Sequence, residues 1–333
     1  MTYDALGRTT NVTLPSSMGT TTYLYEGNTV KTTDAAGKWK KFTMNAFGQL
    51  AQVNEPNPAG GADLVTTYTY DIWGNLVGVS MPRGSTTQTR TFTYNNRGKL
   101  TGTTLPENGT TTFTYNTDFT LASKTDAKNQ KITYTYDTYK RLTEVKRFTV
   151  ASDPGSEDLT QRVTNYYDSN PFDGSFTQNG AGRRTATAYY MRRSGYGAGA
   201  LNGQIIEMYS YSTGGLLTKK RILAVLQNPV DTTDVSNYTD VEYTYDSEGR
   251  RTQMVYPKGR YRDTGSQGAP WMQDASRTLN YTYDSMGRAH TMAEPSPGPS
   301  PEPSWVSGVT YNAASQPTNY SGLGETRAYK ILG

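Results

Sequence analysis

The sequence contains no cysteine and only one histidine among its 333 residues. Disulfide bonds, thiol catalysis and cysteine-ligated metals are therefore excluded, and one histidine cannot build a multi-histidine metal site. No serine or carboxylate is spaced to pair with His290 in a catalytic triad, so we interpret His290 as a polar strand residue. Since no carboxylate pair is marked out either, we predict a chain that is not an enzyme and needs no metal or cofactor.

Long hydrophobic runs and dense blocks of charge are also missing. The strongest apolar run, Ile222–Leu226, is far too short to cross a membrane and fits a buried strand. The formal net charge of +4 is scattered along the chain, which argues against nucleic-acid binding. Met1 leads directly into a repeated motif without a signal peptide, so we expect any export signal to lie upstream.

Hydrophobic residues are scarce as well. They make up 34% of the chain, and 27 of them are tyrosines, which leaves little material for a thick core. Disorder is the alternative, but the small net charge and the 12% of aromatic residues argue against it. Because Tyr and Thr alternate in many segments and both favour strands, the composition predicts a thin, extensive β-structure.

One motif returns throughout the chain: Tyr-Asp, two variable residues, Gly, and then Arg, Lys, Gln or Asn. The first copy is Tyr3–Arg8, and the last, Tyr329–Gly333, stops at the glycine position. In a repeat array the number of domains cannot be estimated from the length of the chain. We expect residues 1–333 to form one continuous array that belongs to a longer protein.

Each repeat reads as a β-hairpin. In the segment 131–137, Ile132, Tyr134 and Tyr136 fall on one face and Thr133 and Thr135 on the other, as in a strand. A turn and a return strand follow. The same plan predicts hairpins at 66–79, 91–104, 242–255 and 279–292.

Turn chemistry accounts for the motif. Asp or Asn at the first turn position accepts a backbone N–H two residues later, and Gly three residues later suits a bulged hairpin ending in a left-handed residue. The preceding Tyr ends the incoming strand, and we expect its ring to stack on the Tyr of a neighbouring repeat. We therefore assign a structural role, not acid–base chemistry, to Tyr3, Asp4, Gly7, Tyr70, Asp71, Gly74, Tyr94, Asn95, Gly98, Tyr136, Asp137, Tyr245, Asp246, Gly249, Tyr283, Asp284 and Gly287.

The repeat is irregular in two places. Between 170 and 210 the motif degenerates, and its glycine-rich part, 195–200, lacks the lysine and the βαβ setting of a phosphate-binding loop, so we expect a flexible connection there. The Pro-rich segment 294–303 is predicted to be a long hairpin loop, because the repeat pattern resumes after it.

The motif Tyr-Asp-x-x-Gly-Arg, preceded by Thr-Tyr-x-Tyr, resembles the RHS repeat, also called the YD repeat. Matching copies occupy 3–8, 70–76, 94–100, 245–250 and 283–288, and a companion half-repeat occupies 23–38. The resemblance implies an all-β strip of antiparallel hairpins wound into a spiral that encloses a hollow shell. Members are large exported or surface proteins, including cocoon subunits of toxin complexes, polymorphic toxins and the related teneurins.

The function implied by this resemblance is enclosure: a non-catalytic wall, outside the cell or on its surface, around a cargo or a C-terminal effector. The partners would be the flanking repeats of the same polypeptide. The aspartate-rich Asp-Pro-x-Gly element of self-cleaving members is missing from this sequence, so self-cleavage is not carried over.

Two alternatives stay open at this stage. The sheet edges could pair with other copies of the chain and produce a tube or fibre. Exposed Tyr and Trp rings could instead bind carbohydrate or serve in adhesion, in which case the first residues to test are Trp39, Trp73, Trp271 and Trp305.

Overall fold

The computed structural model is all-β. It describes residues 1–13, 19–191, 203–227, 234–256, 260–261, 272–273, 276–295, 305–322 and 325–328. Within these ranges the chain forms β-strands and two short 3-10 helices, Pro154–Ser156 and Leu159–Gln161, and no α-helix. The glycine-rich segment 195–200 and most of the Pro-rich segment 294–303 lie outside the described residues.

The chain divides into two compact units, each with its own consecutive strands. Unit 1 contains Met1–Thr133 and Phe148–Glu157, and unit 2 contains Tyr134–Arg147 and the residues from Asp158 onward. In unit 1 each strand pairs antiparallel with the next. Its strands are β1 Thr2–Tyr3, β2 Thr9–Thr13, β3 Thr20–Glu26, β4 Thr29–Thr33, β5 Trp39–Met44, β6 Leu50–Glu55, β7 Leu64–Tyr70, β8 Leu76–Arg83, β9 Thr86–Tyr94, β10 Leu100–Leu105, β11 Gly109–Tyr115, β12 Leu121–Thr125 and β13 Lys131–Tyr136, of which β13 continues into unit 2.

Unit 2 repeats this antiparallel plan with longer strands near its middle. The predicted hairpins at 66–79, 91–104, 242–255 and 279–292 are confirmed as β7–β8, β9–β10, β19–β20 and β23–β24. The strands are β14 Leu142–Phe148, β15 Val163–Tyr167, β16 Arg184–Met191, β17 Gly203–Tyr211, β18 Leu217–Gln227, β19 Asp234–Tyr245, β20 Arg251–Val255, β21 Arg260–Tyr261, β22 Met272–Gln273, β23 Thr278–Tyr283, β24 Ala289–Ala293, β25 Gly308–Tyr311, β26 Pro317–Gly322 and β27 Glu325–Ala328.

The two faces of the unit 1 sheet differ in composition, because successive side chains of a strand point to opposite faces. On one face Tyr68 pairs with Val79, whereas on the other Thr69 pairs with Gly78. Hydroxyl groups on the threonine-rich face bond across strands, as Thr114 Oγ1 does with Ser123 Oγ at 2.7 Å. Among the described hydrophobic residues of unit 1 only Val53 is buried, with 8% exposure, which agrees with the predicted thin structure.

Unit 2 contains a compact hydrophobic cluster within the segment 170–210, where the repeat motif degenerates. Ala186 and Ala188 on β16 and Ile206 and Met208 on β17 are at most 1% exposed, and they pack beneath Phe176 from the loop before β16. The strongest apolar run of the sequence lies on β18 and is only half buried: Leu223 and Val225 contact this cluster, while Ile222 faces away and is 39% exposed.

Hydrogen bonds hold this loop over the strands. Thr177 Oγ1 donates to the carbonyl oxygen of Tyr209 at 2.9 Å, and the Gln178 N–H donates to Ser210 Oγ at 3.0 Å. The ring of Phe172 packs edge-on against Tyr166, with 5.2 Å between ring centroids. The described part of the degenerate segment is therefore ordered by burial and not by the repeat motif.

Candidate functional site

The repeated carboxylates are all bound within their own turns. Asp71 Oδ1 accepts the N–H groups of Trp73 at 3.0 Å and Asn75 at 2.8 Å, and Asp71 Oδ2 accepts the Asn75 side-chain amide at 2.9 Å. The Gly74 N–H closes the turn on the Asp71 carbonyl at 3.1 Å. The Asn75 side-chain amide, together with these N–H groups, lowers the pKa of Asp71.

Arginine takes the place of this amide in other repeats. In Asp4–Arg8, Asp137–Arg141, Asp246–Arg250 and Asp284–Arg288 the guanidinium Nε donates to the carboxylate Oδ2 at 2.6–2.7 Å. The Arg288 backbone N–H is the main cause of the lowered pKa of Asp284, and the side chain of Arg288 adds to it. Asn95 makes the same two backbone contacts without a charge, to Arg97 and Lys99.

Each of these turns ends in a residue whose backbone has the left-handed conformation, with positive φ. Gly7, Gly74, Gly98, Gly249 and Gly287 have φ between 70° and 86°, a region that glycine enters without a Cβ penalty. The repeat that begins with Tyr136 and Asp137 has Lys140 in this place, with φ 63°. Phe119 and Ser315 occupy the same position in two further turns, so the turn tolerates side chains at the cost of local strain.

The tyrosine that ends a strand connects its hairpin to the preceding one. Tyr70 Oη donates to the Leu50 carbonyl at 2.9 Å, and Leu50 is the second residue after the turn glycine Gly48. This relation to the left-handed turn residue recurs across the described chain. The donor and acceptor pairs are Tyr25–Thr9, Tyr70–Leu50, Tyr115–Leu100, Tyr167–Leu142, Tyr211–Arg184, Tyr245–Leu217, Tyr283–Arg251 and Tyr311–Ala289.

The arginine after the turn lies over the same tyrosine ring. The guanidinium carbon is 4.3 Å from the ring centroid in Arg8–Tyr25 and 4.5 Å in Arg288–Tyr311. Arg141–Tyr167, Arg183–Tyr211 and Arg250–Tyr283 are arranged alike, at 4.5–5.7 Å. In these five repeats a guanidinium, and not the tyrosine of a neighbouring repeat, lies over the tyrosine ring, so the predicted stacking of tyrosine on tyrosine is not found there.

Arg141 joins two turns of unit 2. Besides Asp137, it binds both carboxylate oxygens of Asp168, at 2.6 Å and 3.1 Å. The Arg141 side chain and the Gly182 N–H hold the pKa of Asp168 at about 2, against an ordinary value of 3.8. Asp168 itself has φ 66°, so a strained residue is kept in place by a bidentate ion pair.

A second charged cluster surrounds Arg221 on β18, and it was not predicted from the sequence. Arg221 binds Asp240 at 2.7 Å and Asp173 at 3.1 Å, and its guanidinium carbon lies 4.0 Å from the Tyr238 ring centroid. Burial acts to raise the pKa of Asp240, but hydrogen bonds from Arg221 and Lys219 bring it below the ordinary value. Strand register brings Asp240 opposite Arg221, and no local pattern encodes that pairing.

The tryptophans proposed for glycan stacking lie in different settings. Trp39 is half buried on β5, with Lys31 Nζ 4.6 Å from its ring centroid. Trp73 lies at the tip of the turn after β7 and is 73% exposed. Trp305 is 37% exposed and donates from Nε1 to Glu294 Oε1 at 3.2 Å. Trp271 lies outside the described residues.

Three further features bear on function: the single histidine, possible metal ligands and possible membrane-spanning helices. His290 lies on β24, where its Nδ1–H donates to the Val309 carbonyl at 3.3 Å. Within the described ranges no three His, Cys, Asp or Glu side chains are grouped to hold a metal ion. The same ranges hold no helix with the length and apolar character needed to cross a membrane.

Comparison with known proteins gives a result at the level of the fold. No protein-family model and no curated protein matches the chain. The solved structures of TcdB2–TccC3 and TcdB2–TccC3–Cdc42 do, each with 15% identity over 96% of this chain and TM-scores of 0.68 and 0.66. TcdB2–TccC3 without its hypervariable C-terminal region gives 0.65.

The chain spans 15–16% of the length of these structures. At this identity the likeness shows the fold alone. The all-β hairpin array predicted from the repeat motif is therefore confirmed, and it is the fold of a part of the TcdB2–TccC3 structures.

Proposed function

We propose that this chain is a non-catalytic wall segment of a large exported RHS-repeat protein, in which the wall separates a cargo or toxin domain from its surroundings. The observation that carries the proposal is the recurring hydrogen bond from a tyrosine near the end of a strand to the preceding hairpin, as in Tyr115–Leu100 and Tyr245–Leu217. Such links join neighbouring hairpins into a continuous surface and require no ligand.

The state of the carboxylates supports a structural role. Asp71, Asp246 and Asp284 each accept two backbone N–H groups on one oxygen and a side-chain donor on the other. Lowered pKa values keep them ionised, whereas a general acid needs a raised pKa. We infer that the motif was retained for its geometry.

The structural neighbours support enclosure as the purpose of the wall. They are toxin-complex structures with the same fold, and one of them is described as lacking a hypervariable C-terminal region. By analogy, we infer that flanking repeats of the same polypeptide complete the wall and that a downstream effector is the cargo. The protein would act outside the cell or on its surface.

Protease protection in the complete reading frame tests this function. Trypsin should leave the region downstream of this chain intact while the wall is closed. Ile206→Asp places a charge in the buried cluster of unit 2 and should open the wall, so that the downstream region is cut. Glu248→Ala changes an exposed residue at a turn tip and is the matched control. This variant should protect the downstream region from trypsin as well as the parent protein does.

Cell fractionation with a tag on the same reading frame checks export. Cleavage of the downstream region at equal rates in the parent protein and in Ile206→Asp would contradict enclosure. Retention of the tagged protein in the cytosol would contradict an extracellular wall.

A further inference from the structure

Two lysines face each other directly on neighbouring strands of unit 1. In the pairing of β4 with β5, Lys31 is the partner of Lys41, so the two side chains lie on the same face of the sheet. Both residues are partly buried. Side chains at such positions have Cβ atoms about 4.5–5.5 Å apart, and two like charges placed there destabilise the pair. The β4–β5 hairpin therefore contains an unfavourable contact in the middle of its strands.

Elsewhere the chain places opposite charges at opposite positions. On β18 and β19 of unit 2, Arg221 lies opposite Asp240, and two hydrogen bonds of 2.7 Å and 2.9 Å join their side chains. Among the strand pairings described for unit 1, Lys31–Lys41 is the one that joins two charges of the same sign. Strand pairing therefore does not explain why both positions hold lysine.

No carboxylate neutralises the two lysines within the part of the chain that the structure describes. Lys40, which points to the other face of β5, binds Glu55 at 2.6 Å, whereas Lys31 and Lys41 form no ion pair with a described residue. Glu26 of β3 shares their face, but it is exposed, lies diagonally to Lys31 and has no ion pair there either. Two positive charges on this face are therefore uncompensated.

The side chains next to the two lysines add a donor and fix one of the ammonium groups. Asn54 of β6 lies opposite Lys41, and its Oδ1 accepts from Gln52 Nε2 at 2.7 Å. This leaves the amide N–H groups of Asn54 without a partner among the described residues. Lys31 Nζ lies 4.6 Å from the Trp39 ring centroid, so the indole holds this ammonium on the sheet face. Two ammonium groups and one amide group therefore present N–H donors on the same part of the face.

Such a set of donors fits a phosphate monoester. At neutral pH this group carries a charge of about −1.5 to −2 and three strong acceptor oxygens, which match two ammonium charges and one amide. Lysine binds phosphate as a point charge, whereas a planar carboxylate is better matched by the fork of an arginine. We propose that Lys31, Lys41 and Asn54, which we call the lysine site, bind the phosphate monoester group of a soluble molecule or of a lipid headgroup.

An apolar side chain lies beside the lysine site. Leu24 of β3 is opposite Lys31 on the side away from Lys41, and it is 53% exposed. The carbon skeleton next to the phosphate can pack against this side chain and remove both surfaces from water. The site therefore fits an organic phosphate better than inorganic phosphate.

Titration calorimetry on the purified chain tests the proposal, with glycerol phosphate as the soluble probe. The double variant Lys31→Gln with Lys41→Gln should bind at least tenfold more weakly, and Lys41→Arg, which keeps the charge, should lose less. Acetate, with one charge and two oxygens, should bind several-fold more weakly than glycerol phosphate. Lys40→Gln removes one charge from the opposite face of the same strand, so it is the matched control and should bind like the parent chain.

Vesicles distinguish the two sources of the phosphate group. Phosphatidic acid in phosphatidylcholine vesicles carries the same monoester in a lipid. Sedimentation with these vesicles that is lost in the double variant, without binding of glycerol phosphate, would assign the lysine site to a lipid headgroup. The reverse result would assign it to a soluble ligand.

Urea unfolding at low salt separates ligand binding from a structural role. The double variant should unfold at the same urea concentration as the parent chain or at a higher one, because a repulsion is removed. A clear loss of stability would assign the two lysines to the fold and overturn the proposal. It would also be overturned if neither glycerol phosphate nor the vesicles bound, if the double variant bound like the parent chain, or if Lys40→Gln weakened binding equally.

Discussion

Removing a single hydroxyl tests whether the tyrosine–carbonyl bonds hold neighbouring hairpins together. In Tyr115→Phe the ring remains in place, while the bond of 2.8 Å to the Leu100 carbonyl is lost. This bond is partly buried, so its net contribution should be about 1 kcal/mol, within the usual range of 0.5–1.5 kcal/mol. That free energy corresponds to about a fivefold change in a local opening equilibrium.

Hydrogen exchange followed by mass spectrometry measures this opening strand by strand. Amides of β9–β12 should exchange about fivefold faster in Tyr115→Phe, while those of β3–β6 keep the parent rate, because each bond reaches only one hairpin back. Tyr139→Phe is the control: its hydroxyl makes no such bond in the described structure and its side chain is 77% exposed. Equal acceleration in both variants, or none in Tyr115→Phe, would refute this reasoning.

The remaining predictions concern turns, the buried cluster and pH. Gly98→Ala should destabilise the β9–β10 hairpin by about 1 kcal/mol in urea unfolding, because Gly98 has φ 70° and a Cβ meets no closer atom than Asn75 Oδ1 at 3.9 Å. Ser315→Gly should stabilise its own turn by a similar or smaller amount, since Ser315 has φ 60°, and a loss of stability would contradict the assigned strain. Ile206→Ala should cost about 2–5 kcal/mol in the unfolding of unit 2, and a loss below 1 kcal/mol would show that the site is not well packed. Asp168 has a pKa of about 2 in the fold against 3.8, so its ion pair stabilises fully above about pH 4 and is lost as the pH falls toward 2; Asp168→Asn should flatten the pH dependence of unit 2 thermal unfolding in that range.

Local chemistry made the turns predictable from the sequence. Asp71 and Gly74 act within one five-residue turn, so their spacing was enough to predict the Asx contact and the left-handed residue. The alternation of Tyr and Thr in β13 predicted a strand for the same reason. Lys140 shows the limit of the motif, because a turn of this kind also forms with a side chain at the glycine position.

Features that depend on distant residues could not be predicted in this way. The Tyr70–Leu50 bond joins residues in different hairpins. The motif identifies the tyrosine, but it does not show which backbone carbonyl lies within reach of its hydroxyl. The cluster around Ile206 depends on a loop that folds back over β16 and β17, where the repeat motif is absent and no period indicated a core.

The tyrosine–carbonyl bond also bears on how such a chain changes length during evolution. Its donor ends a strand and its acceptor is a backbone atom at a fixed place after a turn, so each copy whose incoming strand ends in tyrosine carries both halves. A gene duplication that inserts one whole hairpin supplies a new donor and a new acceptor together, and a deletion removes both. The number of repeats can therefore change by recombination without compensating substitutions.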